Sequence, residues 1–151
     1  MRVAIFGGTG FLGSALVESL LKQNVQIYLL ARDAFSRNDL NKYSTCSNIQ
    51  IIDWKLTDLE IIEKYLKEVD CVINLCGILY ENQSGDFEEI HSVFPSILGE
   101  LSKKNNIKNF IHVSALGVSE SSNSKYSRSK ASGDRRLLEK FPKAKILRPS
   151  I

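Results

Sequence analysis

At 151 residues, 43% hydrophobic and 25% charged, the chain suits one soluble domain with a core of its own. Its net charge of +3 is spread over scattered basic residues, which gives no nucleic-acid footprint; the pairs Lys103–Lys104 and Arg135–Arg136 read as solvated helix faces. Three cysteines without CxxC spacing suggest neither a disulfide framework nor a metal site, and no apolar run approaches the roughly 18 residues of a membrane span.

The first strand, "RVAIF", begins almost at Met1 and stops at glycine, so neither a signal peptide nor a transit peptide is expected. A bacterial cytosolic product, or one already processed, fits best. "FGGTGFLG" follows, with GxGxxG at Gly8, Gly10 and Gly13 and the wider GxxGxxG at Gly7, Gly10 and Gly13. It lies between a strand and the helix predicted over Phe11 to Gln23, which is the setting of a dinucleotide fingerprint. The first glycine permits a tight turn, the second lets backbone approach a pyrophosphate, and the third lets the helix pack closely on the sheet. The helix N-terminus then offers free N–H groups to phosphate. The expected cofactor segment is therefore Gly7, Gly8, Thr9, Gly10, Phe11, Leu12 and Gly13.

Strand 2, "VQIYLL", runs into Arg32 and Asp33. A carboxylate there would grip the ribose hydroxyls of NAD, whereas a guanidinium pairs with a 2′-phosphate. Arg32, with Arg37 as a candidate second cation, points to NADP(H); Asp33 acting one position late would mean NAD(H) instead. A polar loop leads to strand 3, "IQIID", and a short helix over Leu59 to Glu68 leads to strand 4, "CVINLC". Asn74 and Gly77 lie at that strand's end, either lining the cofactor site or, for the amide, bonding local backbone. Tyr80 and Glu81 read as loop.

A longer helix from about Phe87 to Lys104 contains Pro95, which predicts a kink or a late start. "NFIHVS" is strand 5, Tyr126 to Lys140 a helix and "AKILRPS" strand 6. His112 in an apolar strand reads as a core or sheet-face residue, and His91 is isolated. Alternating strands and helices predict a Rossmann-like, doubly wound α/β parallel sheet. No repeat or linker divides residues 1–151. The sequence stops after strand 6 without a covering helix, so the expectation is one NAD(P)-binding domain, truncated there, with no C-terminal substrate region.

"FGGTGFLG", "VINLCGILYE", "FIHVSALG", Tyr126-x-x-x-Lys130 and the terminal "LRPS" together resemble an atypical short-chain dehydrogenase/reductase of the NAD-dependent epimerase/dehydratase type. Within that family they are most similar to the nucleotide-binding accessory subunits of respiratory complex I and their bacterial relatives. The resemblance implies a Rossmann domain holding NADPH in a structural role, with complex I subunits at the inner membrane face as partners. It equally implies the alternative of a free reductase or epimerase/dehydratase. Where the family has an acidic residue near the adenine, this chain has Lys55, between Asp53 and Asp58; the backbone at Leu56 is then the candidate contact. Arg148 and Pro149 resemble the family's "RP" after strand 6.

The resemblance also gives Tyr126 and Lys130 their roles. Residues four apart share a helix face, so the Lys130 ammonium can hold the nicotinamide ribose and favour the Tyr126 phenolate. A catalytic site would need a third hydroxyl after strand 5. Ser114 is the nearest, but Ala115, Leu116 and Gly117 occupy the positions where that group more often lies, with Ser121, Ser122 and Ser124 beyond. Holding nucleotide and catalysing turnover both stay open for Tyr126, Lys130 and Ser114.

Overall fold

The computed structural model describes residues 1–150. Six parallel strands, β1 (Arg2–Phe6), β2 (Gln26–Ala31), β3 (Ile49–Asp53), β4 (Cys71–Asn74), β5 (Asn109–Val113) and β6 (Lys145–Leu147), form one sheet in the order β3-β2-β1-β4-β5-β6. The inner strands β1, β2 and β4 are almost wholly buried, because helices cover both faces and leave no polar side. The chain moves outward from β1 in one direction as far as β3, then crosses to β4 and moves outward in the other. The reversal between β1 and β4 is the topological switch point, outside whose C-terminal strand ends ligands bind in such sheets.

Helix α1 (Phe11–Leu21) covers one face, where Val17 meets Val3, Ile5, Ile27 and Leu29. Helices α2 (Leu59–Leu66), α3 (Phe94–Lys104) and α4 (Lys125–Lys140) cover the other. Ile62, Leu98 and Leu137 bury there against Phe6, Leu30, Val72 and Phe110. Phe6, Trp54 and Phe94 pack ring against ring at 5.0–5.5 Å, directly beneath the C-terminal edge.

Four details depart from the sequence reading. Strand β4 ends at Asn74 rather than Cys76, because the Asn74 Oδ1 accepts the Cys76 N–H at 3.0 Å and turns the chain out of the ladder. The polar loop after β2 folds into two 3₁₀ turns, Ala34–Ser36 and Asn38–Tyr43, whose Leu40 and Tyr43 are buried against the α1 side. The helix expected from Phe87 is a π-helical segment over Glu88–Val93 that passes into α3 just ahead of Pro95. Proline has no N–H to give the carbonyl four residues earlier, so the wider turn is the form the expected kink takes. Helix α4 begins at Lys125, capped by the Ser124 hydroxyl, which accepts the Ser127 N–H.

Candidate functional site

The glycine turn sits at the switch point, and its glycines divide the work differently from the expectation. Gly7 adopts φ +75°, and a Cβ there would lie 2.7 Å from the Leu75 carbonyl carbon and 2.8 Å from the Cys76 nitrogen. Gly7 therefore makes the tight turn and allows the β1 and β4 ends to meet, which favours the wider glycine spacing. A Cβ on Gly8 would strike Leu29 and crowd Ile5, so the close packing of the turn on the sheet falls to Gly8. Gly13 packs on the turn itself, against the Gly7 carbonyl and the Gly8 backbone. Gly10 caps α1 without a side-chain bond, leaving the first-turn N–H groups open.

A cleft of about 260 Å³ opens at this edge. Gly7, Thr9 and Gly10 form its floor, Trp54 and Leu56 lie on the β3 side, and Leu75 to Ile78 lie on the β4 side. Arg32 and Arg37 line it, and no carboxylate does. Arg37 is committed to Asp39 through two bonds of 3.0 and 2.8 Å. Arg32 is exposed and makes no ion pair among the described residues. Asp33 occupies the left-handed region at φ 52° and starts the first 3₁₀ turn outside the cleft. Asp53 accepts the Ala34 N–H at 2.8 Å, so it fixes the β2 exit. Burial pushes the Cys76 thiol up to about 12, which makes it an inert wall.

Other expected site residues stand beside this cleft. Gly77 lines it. Phe11 and Leu12 are exposed on the first turn of α1 and do not. Asn74 is fully buried and bonds the local backbone, the second of its two expected roles. Tyr126 is half-buried on the first turn of α4, and Lys130 is buried one turn later, where Nζ donates to the Val113 carbonyl at 2.9 Å. The Lys130 pKa is lowered, chiefly by burial, with Asp134 opposing. Ser114 is 4% exposed; its N–H reaches the Leu147 carbonyl at 2.8 Å, and its hydroxyl has no partner.

Two histidines support this region. The Ile78 N–H donates to His91 Nε2 at 3.0 Å, which leaves the ring proton on Nδ1, facing the Ser129 hydroxyl at 2.9 Å. Ser129 then donates to the Tyr126 carbonyl at 2.9 Å. The His91 ring also meets the Tyr126 ring edge-on at 5.3 Å. His91 thus ties the wall after β4 to the Tyr126 turn, a role its isolation in sequence does not reveal. His112 is the core residue expected, enclosed between β4, β5 and α4. Trp54 and Ile90 are further cleft residues that the sequence reading missed. Trp54 directly follows Asp53 at the C-terminal end of β3, the strand position that could have signalled it.

The sequence matches the NAD dependent epimerase/dehydratase family over residues 3–146. It is 35% identical over 147 residues to mouse (Mus musculus) mitochondrial NADH dehydrogenase (ubiquinone) 1 alpha subcomplex subunit 9, covering 97% of this chain and 39% of that protein. It is 26% identical to the ceramide reductase of Caulobacter vibrioides, covering 97% of this chain and 45% of that one. The fold matches a Bacillus anthracis dTDP-glucose 4,6-dehydratase solved with NAD, at a TM-score of 0.79 and 23% identity, over 98% of this chain and 54% of the other. The chain thus spans less than half the length of the curated relatives it matches here.

Proposed function

The chain belongs to the NAD dependent epimerase/dehydratase family, and on that footing we propose that it is an NADP(H)-binding module whose nucleotide is mainly structural, an accessory subunit of the complex I type. One observation carries the choice of cofactor. The cleft at the β2 end presents two guanidinium groups and no carboxylate, and the uncommitted one is Arg32. A 2′-phosphate gains charge-assisted bonds from such a group, and nothing in the cleft wall repels it. Gly10 and the first turn of α1 would hold the pyrophosphate, Leu56 and Trp54 the adenine, and Lys130 with Tyr126 the nicotinamide ribose. When bound, the nucleotide supplies a hydride donor or acceptor; these residues bind it and orient it.

The name of the mouse relative, a subunit of mitochondrial NADH dehydrogenase (ubiquinone), favours complex I subunits as partners; on this reading the chain sits peripheral to the membrane. No described helix is long and apolar enough to cross a bilayer. The alternative is an NADP(H)-dependent reductase or epimerase/dehydratase in which Tyr126 exchanges a proton as hydride moves. The placement of Tyr126 and the buried Lys130 on one helical turn favours it, as does likeness to a ceramide reductase. Against it, the Ser114 hydroxyl is sealed in the interior.

Titration with NADPH and NADH tests the cofactor reading. Tighter NADPH binding is expected, with the advantage lost in Arg32→Ala; equal affinities in the unaltered protein would end the assignment. NADPH oxidation with carbonyl acceptors that Tyr126→Phe abolishes would favour the enzyme.

A further inference from the structure

We propose that Asp134 is the positioning residue of the cofactor site, a buried counter-charge that supports the Lys130 ammonium while Arg148, with the His112 ring facing the other oxygen, holds its carboxylate away from that ammonium. The inference rests on the nucleotide-binding reading and adds three residues to its machinery.

Lys130 is the one buried lysine or arginine, and Asp134 the one buried aspartate or glutamate, among the described residues. They lie one turn apart on the inner face of α4, the spacing at which a lysine and a carboxylate ordinarily close into a pair. They do not close. The Lys130 Nζ donates to the Val113 carbonyl at the C-terminal end of β5, and no contact within 4.0 Å joins it to Asp134. An ammonium carries three donors, so two remain for a ligand beyond that carbonyl.

Both carboxylate oxygens of Asp134 explain why. Oδ2 accepts two N–H groups from Arg148, at 3.1 Å from Nε and 2.8 Å from the terminal nitrogen. Oδ1 faces His112 Nε2 at 3.6 Å. The tautomer that puts a proton on that nitrogen follows from the neighbouring amide. The Asn74 Oδ1 accepts the Cys76 N–H, so Asn74 Nδ2 must donate to His112 Nδ1, 3.2 Å away. Nδ1 is then the acceptor, and the ring proton sits on Nε2, aimed at Asp134. Asn74, His112, Asp134 and Arg148 thus lie in a row across β4, β5, α4 and the segment after β6, hydrogen-bonded at each end and separated by 3.6 Å between His112 and Asp134. Its single carboxylate is held by Arg148 on one side and faces the His112 N–H, beyond hydrogen-bond distance, on the other.

The consequence is electrostatic. A lysine buried alone sheds its proton, and a carboxylate a turn away opposes that without having to touch it. The groups facing Lys130 are Asp134 and Tyr126 from α4, Cys76 after β4, His91 from the π-helical segment, His112 from β5 and, behind Asp134, Arg148. Both imidazoles are neutral, since burial lowers His91 to about 4 and His112 to about 3. The Cys76 thiol is protonated at neutral pH. Asp134 is therefore the formal negative charge of the enclosure. It supports an ammonium that stays extended toward the strand end rather than folding back along its own helix.

Two variants with opposite expected signs test this, read by the NMR titration of the Lys130 Nζ in protein without nucleotide. Asp134→Asn keeps the side chain's shape and removes its charge, so the Lys130 titration should move down by about one pH unit or more. Arg148→Met removes a cation and frees the carboxylate to close on Lys130, so the titration should move up. A merely structural role would not shift the two in opposite directions. In parallel, Asp134→Asn should weaken NADPH binding about threefold at a pH midway between Lys130 midpoints about one unit apart, with less loss below both. Unmoved Lys130 titrations in both variants, or shifts in the same direction, would overturn the proposal. Opposite shifts in a protein that binds no NADPH would uphold the array and instead sink the nucleotide reading.

Discussion

Single side chains carry both the polarity of the cleft and its weak point. His91 and His112 are sealed and neutral, lowered from about 6.5 to about 4 and about 3, with burial the leading cause in each and the Lys130 charge next. Below pH 6.5 the unfolded chain takes up protons at these rings while the folded chain resists. The stabilisation is thus complete above about pH 6.5 and is lost as pH falls toward the folded values, by about 1.4 kcal/mol per histidine per pH unit. The melting temperature should fall steeply between pH 6.5 and 4, and the slope should roughly halve in His91→Gln, which keeps an acceptor for the Ile78 N–H. A wild-type melting temperature that is flat across that range would show the rings to be open to protonation in the fold. At this scale the sequence was only partly informative. Arg32 and the glycines could be read from spacing, but the His91 contacts join residues 78, 91 and 129, and no local pattern places those side by side.

Secondary-structure elements explain why such distant residues meet. The π-helical segment Glu88–Val93 exists because Pro95 cannot bond back to the His91 carbonyl, and Gly133 of α4 fills the space this creates. Any Cβ at Gly133 would run into that carbonyl, with the His91 carbonyl carbon at 2.9 Å and the Ser92 Cα at 3.3 Å. The close approach brings Ser129, Lys130 and Asp134 inward and lets Ser132 meet Ser92 at 2.9 Å. Gly133→Ala must push the two helices apart, backbone from backbone, at a cost of about 1–3 kcal/mol or more. Urea unfolding is expected to show that loss, with nucleotide affinity reduced because Lys130 and Tyr126 retreat together. An unchanged midpoint would mean that α4 slides without penalty. Pro95 announced an interruption in the sequence, whereas the glycine that answers it lies 38 residues later inside a polar helix.

The whole molecule was the most legible level, because a sheet buried on both faces requires continuous apolar strands and alternating amphipathic helices, and both patterns survive in a single sequence. The strand order then places the glycine turn, Arg32, the β4 end and Lys130 along one edge. That edge joins elements from both halves of the sheet, so a ligand lying along it links β2 to α4 across the switch point and favours the folded state over the unfolded one. NADPH at about one hundred times its dissociation constant should add about 2.7 kcal/mol of stability. For a chain of this length that is a rise of roughly 5–11 °C in melting temperature. The rise should shrink with added salt, since Arg32 is exposed and its attraction to a phosphate is screened. NADH lacks the 2′-phosphate that Arg32 would grip, so at equal concentration it should stabilise less and lose less to salt. Thermal melts with both nucleotides at low and high ionic strength measure this directly. A larger rise with NADH, or an NADPH effect indifferent to salt, would place the recognition elsewhere than at the end of β2.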